Sequence, residues 1–303
     1  MSTSKLAWGI RVTTFLMVLL LIGLEDVGQL PGTGVALLVI ALGIPHGAAD
    51  HLIYRARHPQ SSTVRSLLDF SLYYLLLILA YALLWVLLPT VALVLFLAVS
   101  AYHFGQEQID TRPASGLLQQ LHSLLWGAFV LFFPIVLHLP DAQPIIERMV
   151  GQEIPLPDKA QRQCFLVVLV GANAYLAARR ASLQQVTTGA QFRHRRFLDL
   201  ILLVLLYLHT DLLMGFALFF LLWHSVPAAV SQWRYLRTHR LSGSVTGYLW
   251  QLSPLSLGAA LTFVLVYHLW SESPGAGIDL GMVFIFISLI TLPHALLVNA
   301  VYR

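Results

Sequence analysis

Four histidines in this chain stand at a nearly constant distance from a following arginine. The pairs are His46 and Arg55, His103 and Arg112, His224 and Arg234, and His294 and Arg303, with separations of nine, nine, ten and nine residues. Each pair closes a long apolar stretch. If each arginine marks a water interface, a helical rise of 1.5 Å per residue puts each imidazole roughly 13–15 Å into the hydrocarbon. Ionisable groups at that depth are costly and generally serve function. Neutral imidazole is a ligand for iron, copper, zinc and nickel. The coincidence of four such residues reads as one metal site, although any one of them alone would suit a hydrogen-bonded core histidine beside a kinked backbone.

Carboxylates accompany two of the four at helical spacing. Asp50 follows His46 by four residues and Glu107 follows His103 by four, so each pair shares a helix face. Such a carboxylate can orient a ligating ring or ligate directly, and both roles stay open for Asp50 and Glu107. His51 lies beside Asp50 on another face. Pro45 and Pro293 directly precede His46 and His294, and a proline in a helix frees a carbonyl one turn back and opens space for an ion or ligand. Gly43 and Gly47 permit close approach of a neighbouring helix or a substrate. Tyr102, Phe104 and Trp223, next to site histidines, are candidate lining residues for an apolar substrate, against a general tendency of tyrosine and tryptophan to collect at membrane interfaces. His58, His194 and His239 fall in polar connections, His122 near an interface, and His138, His209 and His268 toward the opposite face; none is assigned to the site.

The elements that must position these residues follow from composition. The chain has 303 residues, is 58% hydrophobic and carries 11% charged residues, with a mean hydropathy of +0.76. A soluble chain has about 25% charged residues, so this is an integral membrane protein, all-α and polytopic, with residues 1–303 expected to form a single transmembrane helical domain. Cys164 is the only cysteine, which excludes a disulfide framework and a thiolate cluster. The net charge of +4 sits in short loops and reads as topology signal, not as a nucleic-acid face. Lys5 and Arg11 flank the first apolar run, Glu25 and Asp26 follow it, and no small-residue cleavage site intervenes, so an uncleaved first helix is expected.

Ten apolar segments are expected as spans, in a range of eight to ten, at about 8–24, 34–54, 67–88, 90–106, 117–139, 163–180, 197–209, 211–233, 247–270 and 280–302. The segment at 197–209 is short. Basic connections (Arg55, Arg57 and Arg65; Arg179, Arg180, Arg193, Arg195 and Arg196; Arg234, Arg237 and Arg240) alternate with acidic ones (Glu25 and Asp26; Asp141, Glu147, Glu153 and Asp158; Glu272 and Asp279). That alternation places both termini in the cytoplasm. The four histidine-bearing spans then all run toward the cytoplasm, so the agreement in depth follows from the topology.

The segment GIPHGAADH at 43–51 resembles the signature G-x-P-H-G-x-x-D-H of the Brp/Blh family of membrane β-carotene 15,15′-dioxygenases. AYHFGQEQ at 101–108 resembles that family's Y-H-F-G block, WHS at 223–225 its H-S block, and TLPHALLV at 291–298 its C-terminal P-H block. The matches occur in order over nearly the whole chain. The resemblance implies a non-haem Fe(II) enzyme of a bacterial or archaeal membrane that cuts the central double bond of β-carotene with O₂ to give two molecules of retinal. By motif, His46, His103 and His224 would be the catalytic iron ligands. One departure stands out: the family's H-S block carries a second histidine four residues on, where this chain has Ala228. His294, Asp50, Glu107 or water would then take the fourth place, or iron binding and activity have diverged.

On this reading the bilayer delivers an apolar carotenoid laterally to a cavity between the histidine-bearing helices, with O₂ as co-substrate and lipids as surroundings. Three alternatives are a diverged oxygenase acting on another carotenoid, apocarotenoid or isoprenoid lipid, a metal or proton transporter, and a non-catalytic retinoid-binding protein. A transporter would stagger its polar groups across the membrane or show repeat halves, whereas here the polar cluster occupies one depth and no internal repeat is evident.

Overall fold

A computed structural model describes residues 3–23, 47–108, 117–182, 186–270 and 279–298. Helices dominate these residues, and no strand occurs among them. In chain order they are α1 (Thr3–Gly23), α2 (Asp50–Arg57), α3 (Thr63–Leu87), α4 (Pro89–Gln108), α5 (Leu117–Leu137), α6 (Leu139–Val150), α7 (Lys159–Ser182), α8 (Val186–Leu208), α9 (Leu212–Leu218), a π-helical segment Phe219–Ser225, α10 (Val226–Thr238), α11 (Val245–Trp270) and α12 (Leu280–Val298). Among the described residues eight helices are long and apolar enough to cross a membrane. The protein is a polytopic helical membrane protein. Its exterior is correspondingly apolar: Leu257, Leu261, Leu265 and Leu269, four residues apart along α11, are all exposed, a stripe that suits lipid and not water.

Nine of the ten expected segments coincide with described helices. For the remaining one, 34–54, only its end is described, as α2, and His46 with Pro45 and Gly43 lies outside the described residues. The short segment 197–209 is the second half of α8. That helix extends back through Arg193, Arg195 and Arg196, which the sequence suggested as a connection. The stretch expected as an acidic loop after 139 instead forms α6, with Asp141 in its first turn and Arg148 in its last, charges that complement the helix dipole.

The chain divides into two compact units. The first holds α1, α4 from Ser100 onward, α5, α7, α8, α9 and the chain up to His224. Within it α5 packs on α7, α8 and α9, and α8 packs on α1 and α7. Helices α4 and α5 cross with their backbones in contact. A Cβ at Gly105 would collide with the backbone carbonyl of Ser123, and one at Gly127 with that of Ala101. Ala101 with Gly105, and Ser123 with Gly127, are therefore two small-residue pairs at four-residue spacing that let one helix lie directly on the other. A buried ion pair ties α1 to α8: Arg11 donates from Nε and Nη2 to the two oxygens of Asp199 at 2.6 and 3.0 Å, and Arg196 adds a contact of 2.8 Å from one turn earlier.

The second unit holds α2, α3, α4 up to Val99, Ile145–Gln152 and the chain from Ser225 onward. Here α12 packs on α3 and α2, and α10 packs on α2. Its core gathers Ala49, Ile53, Phe70, Leu236, Leu252 and Val298 among others. Trp85 of α3 donates its indole N–H to Ser288 of α12 at 2.8 Å, satisfying a buried polar pair across the two helices.

The α4–α5 crossing generates a contrast. Gly105→Ala must push backbone away from backbone, whereas Gly171 of α7 has open space around its Cβ position. Overpacking of this kind costs about 1–3 kcal/mol or more. Gly105→Ala and Gly127→Ala are expected to lower the Tm of the detergent-purified protein and Gly171→Ala to leave it within experimental scatter; equal melting of all three would exclude the close crossing.

Candidate metal centre

The helix period and the α4–α5 crossing together set up the first unit's polar cluster. His103 and Glu107, four residues apart, share one face of α4, and Gly105 between them faces the opposite way. The glycine face is pressed onto α5, so the histidine–glutamate face is presented on the other side. His224 meets it from the π-helical segment. One ligand-competent atom from each of His103, Glu107 and His224 lies within 4.8 Å of the others. The His224 Nδ1 contacts the Glu107 Oε2 directly. All three side chains are withdrawn from solvent, His103 and His224 at 2% exposure and the Glu107 side chain at 3%.

The helix widens at His224 for a local reason. Pro227 has no N–H, and its ring crowds the carbonyl four residues earlier, that of Trp223. The π-helical segment ends at Ser225, directly before α10, which carries this proline in its first turn. Widened turns of this type are frequent at functional positions because they re-aim one side chain. Aromatic rings fix that side chain. Phe104 meets the His224 ring edge-on at 4.7 Å between centroids, Phe220 lies at 5.1 Å, and the His103 ring stands nearly perpendicular to it at 5.1 Å. Phe219, fully buried, packs on Phe104.

In the second unit a separate polar triad surrounds Asp50, a fully buried carboxylate. His294 donates through Nδ1, at 2.9 Å from each carboxylate oxygen, and Tyr74 donates its hydroxyl to Oδ2 at 2.6 Å. The carboxylate thereby selects the Nδ1–H tautomer, so Nε2 is the nitrogen with a lone pair, the arrangement by which carboxylates orient metal-binding imidazoles. His51 instead turns its Nδ1 to the Ala48 carbonyl at 2.7 Å and its ring toward Phe70.

Of the residues singled out from sequence, His103, Glu107 and His224 come together, with Phe104 against them. Asp50 and His294 pair with each other. Trp223 is buried and donates its indole N–H to Thr14 of α1 at 3.0 Å. Tyr102 is exposed on α4, paired with Gln106. His122, set aside as interfacial, is fully buried in α5 with Arg180 of α7 at 3.2 Å from its Nδ1. Sequence reasoning passed over Tyr74, Gln108, Arg196 and Asp199. The signal is present for Asp199, a carboxylate within an apolar segment, while its partner Arg11 reads in sequence as a flanking charge.

The donor set of two imidazoles and a carboxylate, buried and convergent, fits a divalent iron better than calcium or magnesium, which prefer oxygen alone. The matched sequence blocks agree with what comparison finds. A family model described as beta-carotene 15,15′-dioxygenase matches residues 37–302. A curated relative from uncultured marine bacterium 66A03, named beta-carotene 15,15′-dioxygenase, is 25% identical over 268 residues, covering 88% of this chain and 92% of that protein. No solved structure matches. With a match over 37–302 that takes in His46, His103, His224 and His294 alike, the chain belongs to the β-carotene 15,15′-dioxygenase family.

Proposed function

We propose that this protein is an iron(II) enzyme that cleaves the central 15,15′ double bond of β-carotene with O₂, giving two molecules of retinal. The observation that carries the reading is the buried convergence of His103, Glu107 and His224 in a chain of this family. The stoichiometry closes without a further reductant: one C=C bond and one O=O bond are broken, and each aldehyde takes one oxygen atom. Iron, when bound, supplies the one-electron chemistry that O₂ activation requires and that closed-shell side chains lack. His103, Glu107 and His224 are proposed to hold it, and the motif match adds His46.

The chain's own residues supply placement and dryness. Phe104, Phe219 and Phe220 hold the His224 ring and keep water from the ligand cluster, which strengthens its electrostatics and protects reactive species from hydrolysis. The exposed apolar exterior fits an apolar polyene that partitions into the bilayer and enters laterally. In the second unit, Asp50 keeps the His294 ring oriented with Nε2 as its donor atom. Ala228 favours a second reading, a shift in substrate. It is fully buried one turn beyond His224, where the family pattern has a histidine, and Glu107 offers a carboxylate to the same ring.

Expression in a β-carotene-producing bacterium, with chromatography of pigments, tests both readings. Retinal is expected to accumulate at the expense of β-carotene, and His103→Ala or His224→Ala to abolish both retinal and bound iron; full activity in either variant would sink the assignment. The same assay tests His46, whose role rests on its motif. Unchanged β-carotene in a folded, iron-loaded protein would select the second reading. Asp50→Ala removes the acceptor that orients His294 and strands two buried donors, His294 and Tyr74, so it is expected to lower retinal yield strongly. Tyr74→Phe, which deletes a single hydrogen bond to the same carboxylate, should cost only several-fold; wild-type yield from Asp50→Ala would show that the triad serves packing alone.

A further inference from the structure

Gln108 is the last residue of α4, directly after Glu107, and every hydrogen-bonding group it directs into the protein is used. Its Nε2 donates to the carbonyl of Trp223 at 2.9 Å, the residue before His224. Its Oε1 accepts from the indole N–H of Trp126 on α5 at 2.8 Å. Its own backbone carbonyl accepts from Arg196 of α8 at 3.1 Å. The indole, a donor only, settles which end of the carboxamide is oxygen and so directs the NH₂ at Trp223. Arg196 is itself held by Asp199 at 2.8 Å and lies over the Trp126 ring at 5.2 Å. Asp199 is bound in turn by Arg11.

The carbonyl that Gln108 reaches is the one that Pro227 leaves without an α-helical donor. In an apolar medium such a group costs several kcal/mol unless another donor finds it. A carboxamide beside one proposed ligand thus closes the backbone beside the other.

We propose that Gln108 is a positioning residue of the metal site: its carboxamide joins the helix of Glu107 to the carbonyl that Pro227 exposes at Trp223, and so sets His224 against Glu107. This role rests on the metal site proposed above. Leucine fills the same space without the bridge. Glutamate would turn a carboxylate toward a carbonyl oxygen and repel it. Pro227→Ala, by contrast, restores an N–H that can take the Trp223 carbonyl within the helix, so it should compensate for loss of the amide.

Cobalt(II) titration of the purified, metal-free full chain, read by ligand-field absorption, separates the possibilities. Wild-type protein is expected to bind cobalt with a spectrum that His103→Ala loses. Gln108→Leu is expected to bind about 10–100-fold more weakly with displaced bands, and Gln108→Leu with Pro227→Ala to recover most of that loss. Wild-type affinity and spectrum in Gln108→Leu would overturn the role. Should Gln108→Leu fail to fold, the double variant decides: near-wild-type cobalt binding supports the bridge, and weak binding or continued misfolding overturns it. Equal cobalt binding by wild type and His103→Ala would overturn the metal site itself, and this role with it, a result distinct from failure at Gln108 alone.

Discussion

Lipid offers no hydrogen bonds, and the prolines in this protein's helices make that constraint visible. Each one leaves the carbonyl four residues earlier without its helical donor. Pro134 of α5 does this to Val130, and the buried Tyr207 hydroxyl of α8 donates there at 3.1 Å. Pro254 of α11 does it to Trp250, where the Ser253 hydroxyl donates at 2.9 Å. Pro227 does it to Trp223, which Gln108 reaches. At these three of the helix-interior prolines a side-chain donor answers the break. Two of the three come from another helix, so the same bond that repairs one backbone also docks a second.

The His103–Glu107–His224 cluster also lies where helices are irregular or unusually close. His224 sits in a widened turn ahead of Pro227, and His103 and Glu107 flank the glycine at which α4 lies on α5. The glycine of the Y-H-F-G block answers to α5: a methyl group there would strike the Ser123 carbonyl. The phenylalanine before it serves the other face, edge-on to His224.

Much of this was legible in the sequence, and the rest was hidden for definable reasons. Spans show through composition because a lipid-facing helix is apolar on its outside as well as its inside, so α3, α5, α11 and α12 were located within a few residues. The boundary of α8 was not, because arginine is a good helix former and Arg196 finds Asp199 at i+3. Grouping of His103 with Glu107 follows from the four-residue period. Pairing of Asp50 with His294, 244 positions apart, has no local trace. Gln108 was invisible because a glutamine at a helix end is an ordinary solvated residue unless a distant proline has exposed a carbonyl within its reach.

The two carboxylates that look equivalent in sequence, each four residues after a motif histidine, do different work. Asp50 is already engaged: Tyr74 and His294 donate to it, it is fully buried, and it orients an imidazole that lies elsewhere in the chain. A carboxylate so engaged would have to give up charge-assisted bonds to ligate a metal, each worth about 1.5–3 kcal/mol. Glu107 contacts His224 directly, and one of its oxygens lies within 4.8 Å of a ring nitrogen of both His103 and His224. Equal spacing in sequence therefore does not give the two carboxylates equal surroundings: the fold has already supplied Asp50 with donors and has left Glu107 facing His224.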